Sequence, residues 1–126
     1  MATVAQLMST ELVSVEAGDT LAEAASVMSR RQVGSVLILS GGGLAGILTE
    51  RDIVRAVSHD VSAPNDPVAH WMTPSPTCVS TTDSWESALE LMQRGHFRHL
   101  PVLEGGRPIG MLSMRDLVKV GVSAAR

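Results

Sequence analysis

Two segments carry the residue types that could do chemistry: Gly46-Ile47-Leu48-Thr49-Glu50-Arg51-Asp52 and Gly110-Met111-Leu112-Ser113-Met114-Arg115-Asp116. In each, a hydroxyl residue closes an apolar run and an aspartate follows three positions later. The run predicts a strand ending at the hydroxyl, with a helix starting at once. The free N–H groups and positive dipole end of such a helix attract an anion such as phosphate. Thr49 or Ser113 can add a hydroxyl hydrogen bond to that phosphate. Asp52 or Asp116, in the first helical turn, can accept bonds from the two hydroxyls of a ribose. The combination suits a ribose-phosphate ligand. The same residues also serve a helix by themselves, the hydroxyl as N-cap and the aspartate as dipole complement. Two copies that keep hydroxyl, Arg and Asp in register favour the ligand, although a duplicated cap stays open.

The two segments belong to a longer repeat. Sliding the sequence by 64 positions aligns Val4–Ala56 with Val68–Val120 without a gap, with 16 identities in 53 pairs. Most other pairs keep their character, as in Thr20/Ser84, Thr49/Ser113, Ile53/Leu117 and Arg55/Lys119. The polar stretch Ser58–Pro67, with two prolines, reads as a linker. The expected division is therefore one motif over 4–57, a linker over 58–67 and a second motif over 68–121.

Each half predicts the same elements. Val4–Met8 is a lead-in turn or helix, and Leu12–Val15 a short strand. Thr20 caps a helix, with Glu23 completing a capping box. Leu21, Ala24, Ala25 and Met28 form its apolar face. In the second half Asp83 and Glu86 offer the box, and Trp85, Ala88, Leu89 and Met92 the face. Ser35–Leu39 and Leu44–Thr49 are strands joined by a turn at Gly41-Gly42-Gly43. Glu50–Val57 is a second helix. His99–Leu103, Pro108–Ser113 and Met114–Val120 are the later counterparts. The fold class is α/β of the α+β type: two β-α-β-β-α motifs related by pseudo-two-fold symmetry. A half of about 55 residues buries too little surface to be comfortably stable alone, which gives the duplication a physical reason.

Composition narrows the function. The chain has 126 residues, 44% of them hydrophobic but only 2% aromatic, so its core must be aliphatic. Mean hydropathy is +0.18, which argues against disorder. No apolar run approaches the roughly 20 residues of a membrane helix. The N-terminus has neither the basic region nor the long apolar run of a secretory signal. The single cysteine, Cys78, excludes an intramolecular disulfide framework and fits a reducing cytoplasm. A net charge of -3 gives no electrostatic case for nucleic acid.

The chain resembles the tandem CBS-domain proteins, also called Bateman modules. The resemblance lies in the Val-x-x-x-Met openings (Val4–Met8, Val68–Met72), Thr20-Leu21-x-Glu23-Ala24, Val33-Gly34-Ser35-Val36, Gly46–Val54 and Phe97-Arg98-His99-Leu100-Pro101-Val102. It covers nearly all of 4–120. It implies a regulatory module that binds adenosine derivatives: AMP, ADP or ATP, or else S-adenosylmethionine or NAD. It assigns Thr49 with Asp52, and Ser113 with Asp116, to phosphate and ribose. It places adenine near Leu12, Val13 and Ser14, near Thr77 and Cys78, and near Gly34, Ser35, Phe97, Ile47 and Met111. It also implies sites that mix the halves, pairing Asp52 with Arg98, His99 and Thr77–Cys78, and Asp116 with Gly34, Ser35 and Leu12–Ser14. Arg98 and His99 resemble phosphate-meeting positions whose counterparts Gly34 and Ser35 carry no charge. Unequal sites follow, the Asp52 site being better suited to a polyphosphate. Family modules commonly dimerise through helices, so a homodimer is expected, through Leu21–Met28 and Trp85–Met92 or through Ile53–Val57 and Leu117–Val120.

Other candidates are weaker. His96 and His99 flank a helix-to-strand junction without a further ligand cluster, so no metal is expected. Cys78 reads as a small buried hydrophobe. Arg30, Arg31, Arg51 and Arg55 read as a solvated face. The resulting expectation is a stand-alone, non-enzymatic sensor with no catalytic residues and no catalytic cofactor. An adenine nucleotide would be its regulatory ligand and a further protein its target. The main alternative is a constitutive interaction module with vestigial sites. A phosphate-transferring enzyme lacks a visible general base or metal cluster.

Overall fold

The computed structural model describes residues 2–124, with side-chain environments through Val120. It is a mixed α+β structure of two compact units, Val13–Pro76 and Met1–Leu12 with Thr77–Arg126.

The first unit is built on a four-stranded sheet of β1 (Ser14–Glu16), β2 (Ser35–Ser40), β3 (Gly43–Thr49) and β4 (Thr73–Pro74), in that order. β1 and β2 are parallel, whereas β2/β3 and β3/β4 are antiparallel. The parallel pair needs a crossover, and α2 (Leu21–Arg31) supplies it. Thr20 caps this helix, accepting from the Glu23 N–H at 3.1 Å. The return leg differs from a full capping box: Glu23 accepts from the Thr20 hydroxyl rather than from its backbone. Leu21, Ala24 and Met28 are buried, as the helical spacing predicts. The β2–β3 hairpin turns at Gly41 and Gly42, whose φ values of 59° and 82° favour glycine. α3 (Glu50–His59) follows β3 without a loop. Val36, Ile38, Leu48, Ala56 and Val68 form the core, each shielded from water. Full burial of one such aliphatic side chain contributes about 1.5–3 kcal/mol.

The second unit repeats the plan with β5 (Val79–Ser80), α4 (Trp85–Gly95), β6 (His99–Glu104), β7 (Arg107–Ser113) and α5 (Met114–Ala124), on a sheet ordered β5-β6-β7. Its core joins Val4, Val79, Met92, Leu100, Val102 and Leu112. Even the register irregularity recurs, between Ile38 and Leu39 in β2 and between Val102 and Leu103 in β6. The cap of α4 corrects the sequence expectation. Ser84, not Asp83, is the N-cap, and it accepts from Ser87 N–H at 3.1 Å. Glu86 therefore sits one position too early to close a box. Asp83 instead accepts from Ser80 N–H at 2.8 Å, tightening the turn after β5.

Sequence repeat and compact unit are out of phase. The short helix α1 (Val4–Leu7) opens the first repeat but packs in the second unit, where Val4 N–H donates to Asp83 O at 2.8 Å and Ser9 bridges Met111. Symmetrically, Val68 N–H donates to Asp19 O at 2.7 Å and Thr73 pairs with Ile47. Each repeat therefore lends its lead-in to the sheet edge of the other. The two glycines of the chemical motif allow this. A Cβ on Gly46 would lie 2.7 Å from Thr73 O, and one on Gly110 2.7 Å from Ser9 O. The stretch Ser58–Pro67 is likewise no loose tether. Ala63 is fully buried and Asp66 accepts from the Trp71 indole at 3.0 Å.

Candidate functional site

In the first unit the motif forms the corner between β3 and α3. Thr49 keeps an extended backbone (φ -119°, ψ 168°), so its side chain faces the first helical turn. Its hydroxyl accepts from Asp52 N–H at 3.4 Å, and Asp52 Oδ2 accepts both the Thr49 N–H at 2.9 Å and the Thr49 hydroxyl at 3.1 Å. This is a reciprocal capping box. Asp52 is 5% exposed, and its other oxygen, Oδ1, accepts from Arg55 Nη2 at 3.0 Å. A buried carboxylate needs such partners, because an unpaired charge there would be costly.

β2 brings Gly34 and Ser35 to the same corner. Ser35 pairs across the sheet with Thr49, and Gly34 O accepts from Glu50 N–H at 3.1 Å. Ser35 and Ile47 are buried. Val13 is buried and its carbonyl accepts from Leu37 N–H, which sets it on the β1 side of β2, and Ser14 beside it is exposed.

The second unit has the same corner between β7 and α5. Asp116 Oδ2 accepts the Ser113 N–H at 2.9 Å and the Ser113 hydroxyl at 3.0 Å, while the Ser113 hydroxyl accepts from Asp116 N–H at 3.3 Å. Here Arg98 and His99 take the places of Gly34 and Ser35. His99 pairs with Ser113, and Arg98 O accepts from Met114 N–H at 2.8 Å. Arg98 is exposed, and Phe97 and Met111 are half-buried. Thr77 and Cys78 lead into β5 rather than lying within it. Burial pushes the Cys78 thiol pKa up, so the group stays protonated at neutral pH. Leu12, at 42% exposed, precedes the crossing into the first unit.

Within one unit, then, the structure gathers Thr49 and Asp52 with Gly34 and Ser35, and Ser113 and Asp116 with Arg98 and His99. The pairings expected from the family resemblance join residues of different units, except that Leu12 belongs to the same unit as Asp116. The corners also differ in how they meet an anion. Each helix spends two of its first three N–H groups internally, Glu50 and Asp52 in α3 and Met114 and Asp116 in α5. That leaves less of the helix N-terminus for phosphate than the bare motif implies. Glu50 adds a second acidic group to the first turn of α3, where α5 has Met114.

The sequence places Arg55 on a solvated face, whereas the structure pairs its half-exposed side chain with Asp52. The signal for this pair was the i, i+3 spacing, which places the two side chains on neighbouring rows of one helix. His96 is the left-handed C-cap of α4 (φ 57°), as Gln32 is of α2 (φ 54°), and His99 opens β6. Among the described residues no three of His, Cys, Asp and Glu gather to hold a metal. No helix among them is long and apolar enough to cross a membrane.

The CBS domain family profile matches residues 4–59 and 68–123. A 17.7 kDa protein of Acidianus ambivalens is 37% identical over 119 residues, which span 92% of this chain and 71% of that one. Longer relatives exist: the chain covers 21% of the CBS domain-containing protein CBSCBSPB1 of Arabidopsis thaliana, at 37% identity over 89% of its own length. Among solved structures, a CBS-domain containing protein of Agrobacterium tumefaciens superposes with a TM-score of 0.89 at 31% identity, covering 94% of this chain and 92% of that one. CBSX2, solved in complex with AMP, has the same fold with a TM-score of 0.83 at 24% identity, covering 98% of each chain.

Proposed function

From its membership of the CBS-domain family, with two copies of the domain in tandem, we propose that this chain is a non-enzymatic regulatory module. Its ligand is an adenosine-containing nucleotide, held at the Thr49–Asp52 and Ser113–Asp116 corners. The observation that carries the reading is the twice-built corner, in which a carboxylate is fixed by its own cap in one orientation. Preorganisation of that kind lowers the entropy cost of gripping a ribose diol. That one protein of this fold has been solved with AMP supports the ligand class.

In this reading Asp52 and Asp116 accept the ribose hydroxyls, and Thr49 and Ser113 hold the carboxylates, meeting phosphate only by redirecting the single O–H that each donates there. Arg98 and His99 supply positive charge and hydrogen bonds to phosphates. Within the first unit adenine lies against Val13, Ser14, Gly34, Ser35 and Ile47, and within the second against Leu12, Thr77, Cys78, Phe97 and Met111. Ligand binding favours one arrangement of the chain and so alters its affinity for a protein target. The module works in the cytoplasm as a homodimer. The exposed Val54 (69%) of α3 and its repeat counterpart Val118 (55%) of α5 offer the apolar contact.

The test is a thermal-shift and calorimetric screen with AMP, ADP, ATP, S-adenosylmethionine and NADH, on the wild type and on the Asp52→Ala/Asp116→Ala double variant. Binding of at least one ligand, lost in the double variant, is expected. No binding at millimolar ligand would favour a constitutive interaction module, and light scattering reads the dimer in the same samples.

A further inference from the structure

We propose that Arg55 is an internal competitor for the ribose at the Asp52 corner, a latch that the Asp116 corner lacks. The inference rests on the ribose reading above. A carboxylate offers about four lone-pair positions on two oxygens. At Asp52 the cap occupies Oδ2 with two donors, and Arg55 Nη2 occupies Oδ1 at 3.0 Å. The diol is left with Oδ1, where its two hydroxyls need both lone-pair positions, so at Asp52 it must displace or share the guanidinium. At Asp116 every hydrogen bond to the carboxylate among the described residues reaches Oδ2, at 2.9 and 3.0 Å. The repeat position of Arg55 is Lys119, whose side chain is exposed.

The exchange has a physical basis. A guanidinium presents a planar fork that suits a carboxylate one turn back, whereas an ammonium is a compact and strongly hydrated charge. The latch is also able to open. The Arg55 side chain is 52% exposed, so water can take over its donors, while the Asp52 side chain is only 7% exposed. The Asp116 corner should fill first, and the Asp52 corner only after Arg55 has moved.

Adenosine is the discriminating probe, because it carries the diol but no phosphate for Arg55 to attract. On an Asp116→Ala background, which leaves the Asp52 corner alone, Arg55→Gln should tighten adenosine binding about two- to fivefold, the range for losing a half-exposed ion pair. The mirror change, Lys119→Arg on an Asp52→Ala background, should weaken it by a similar factor. Adenosine affinity that stays unchanged or falls in Arg55→Gln, while Asp52→Ala still abolishes binding at that corner, overturns the latch and leaves the ribose reading standing. A loss of AMP affinity with adenosine unaffected does the same, and makes Arg55 a phosphate contact. Adenosine binding indifferent to both aspartates overturns the ribose reading and the latch together.

Discussion

Phe97 lies over the bare Cα of Gly95: a Cβ built on this glycine would run into the ring edge of Phe97. The first repeat has Arg31 and Val33 at the two corresponding positions. The two sites therefore exchange bulk as a pair, a small residue in α4 making room for a large one before β6. This fixes an aromatic side chain two residues ahead of His99.

Gly95→Ala should destabilise the protein by about 1–3 kcal/mol, the usual cost of overpacking, which lowers the melting temperature by roughly 3–6 °C per kcal/mol in a chain of this size. Adding Phe97→Val, which restores the small partner of the first repeat, should recover most of the loss. Thermal denaturation of both single variants and the double variant measures this coupling. Additive losses would place the strain elsewhere.

The motif glycines serve the fold. At Gly46 an added methyl meets Thr73 O at 2.7 Å and Met72 Sδ at 2.5 Å; at Gly110 it meets Ser9 O at 2.7 Å and Met8 Sδ at 2.8 Å. The backbone oxygens cannot swing aside as a side chain would. Gly46→Ala should release β4 from β3, and Gly110→Ala should release the Ser9 bridge. Hydrogen exchange reports the second directly, since Ser9 and Met111 exchange N–H···O bonds of 2.9 and 3.0 Å. Faster exchange of those two amides, with the centre of β6 still protected, is the expected pattern.

Asp52 and Asp116 have structural duties beside any ligand. Each carboxylate holds the N–H and hydroxyl of its own cap residue. Thr49→Ala and Ser113→Ala should each cost about 0.5–2 kcal/mol of stability. Asp52→Ala should cost more than Asp116→Ala, because it also removes the Arg55 ion pair and empties a buried position. Denaturant titrations without ligand give the ranking. Equal losses at the two aspartates would show that the Arg55 pair adds nothing.

Cys78 should react slowly with a disulfide reagent at neutral pH. Burial raises its thiol pKa, so the reactive thiolate is scarcer in the folded chain than in the unfolded one. The sign for stability follows. The raised folded-state value contributes stability that is lost as pH rises above the ordinary thiol range. Labelling rates measured with and without urea should differ, the unfolded chain reacting faster. Equal rates would contradict the burial of the thiol.

Much of the fold was legible because its signals are local. Leu21, Ala24 and Met28 at helical spacing, Gly41 and Gly42 at a hairpin, and a hydroxyl before each second helix all specify structure within a few residues. The repeat doubled each signal. The exchange of lead-in segments was not legible. It rests on β4, two residues long, and on one bridge at Ser9, and stretches that short carry no periodicity. Ala63, fully buried inside a stretch that reads as linker, was hidden by its polar neighbours. The corner was legible as hydroxyl plus aspartate. Its occupied amides were not, because the bonds from Glu50 to Gly34 and from Met114 to Arg98 depend on where the neighbouring strand ends.

The most direct measurement is a calorimetric titration of the wild-type chain with AMP and with its 2′,3′-dideoxy analogue. Loss of the diol should weaken binding at least tenfold, the worth of a charge-assisted hydrogen bond pair at about 1.4 kcal/mol or more. Equal affinities for the two compounds would contradict a ribose held by Asp52 and Asp116.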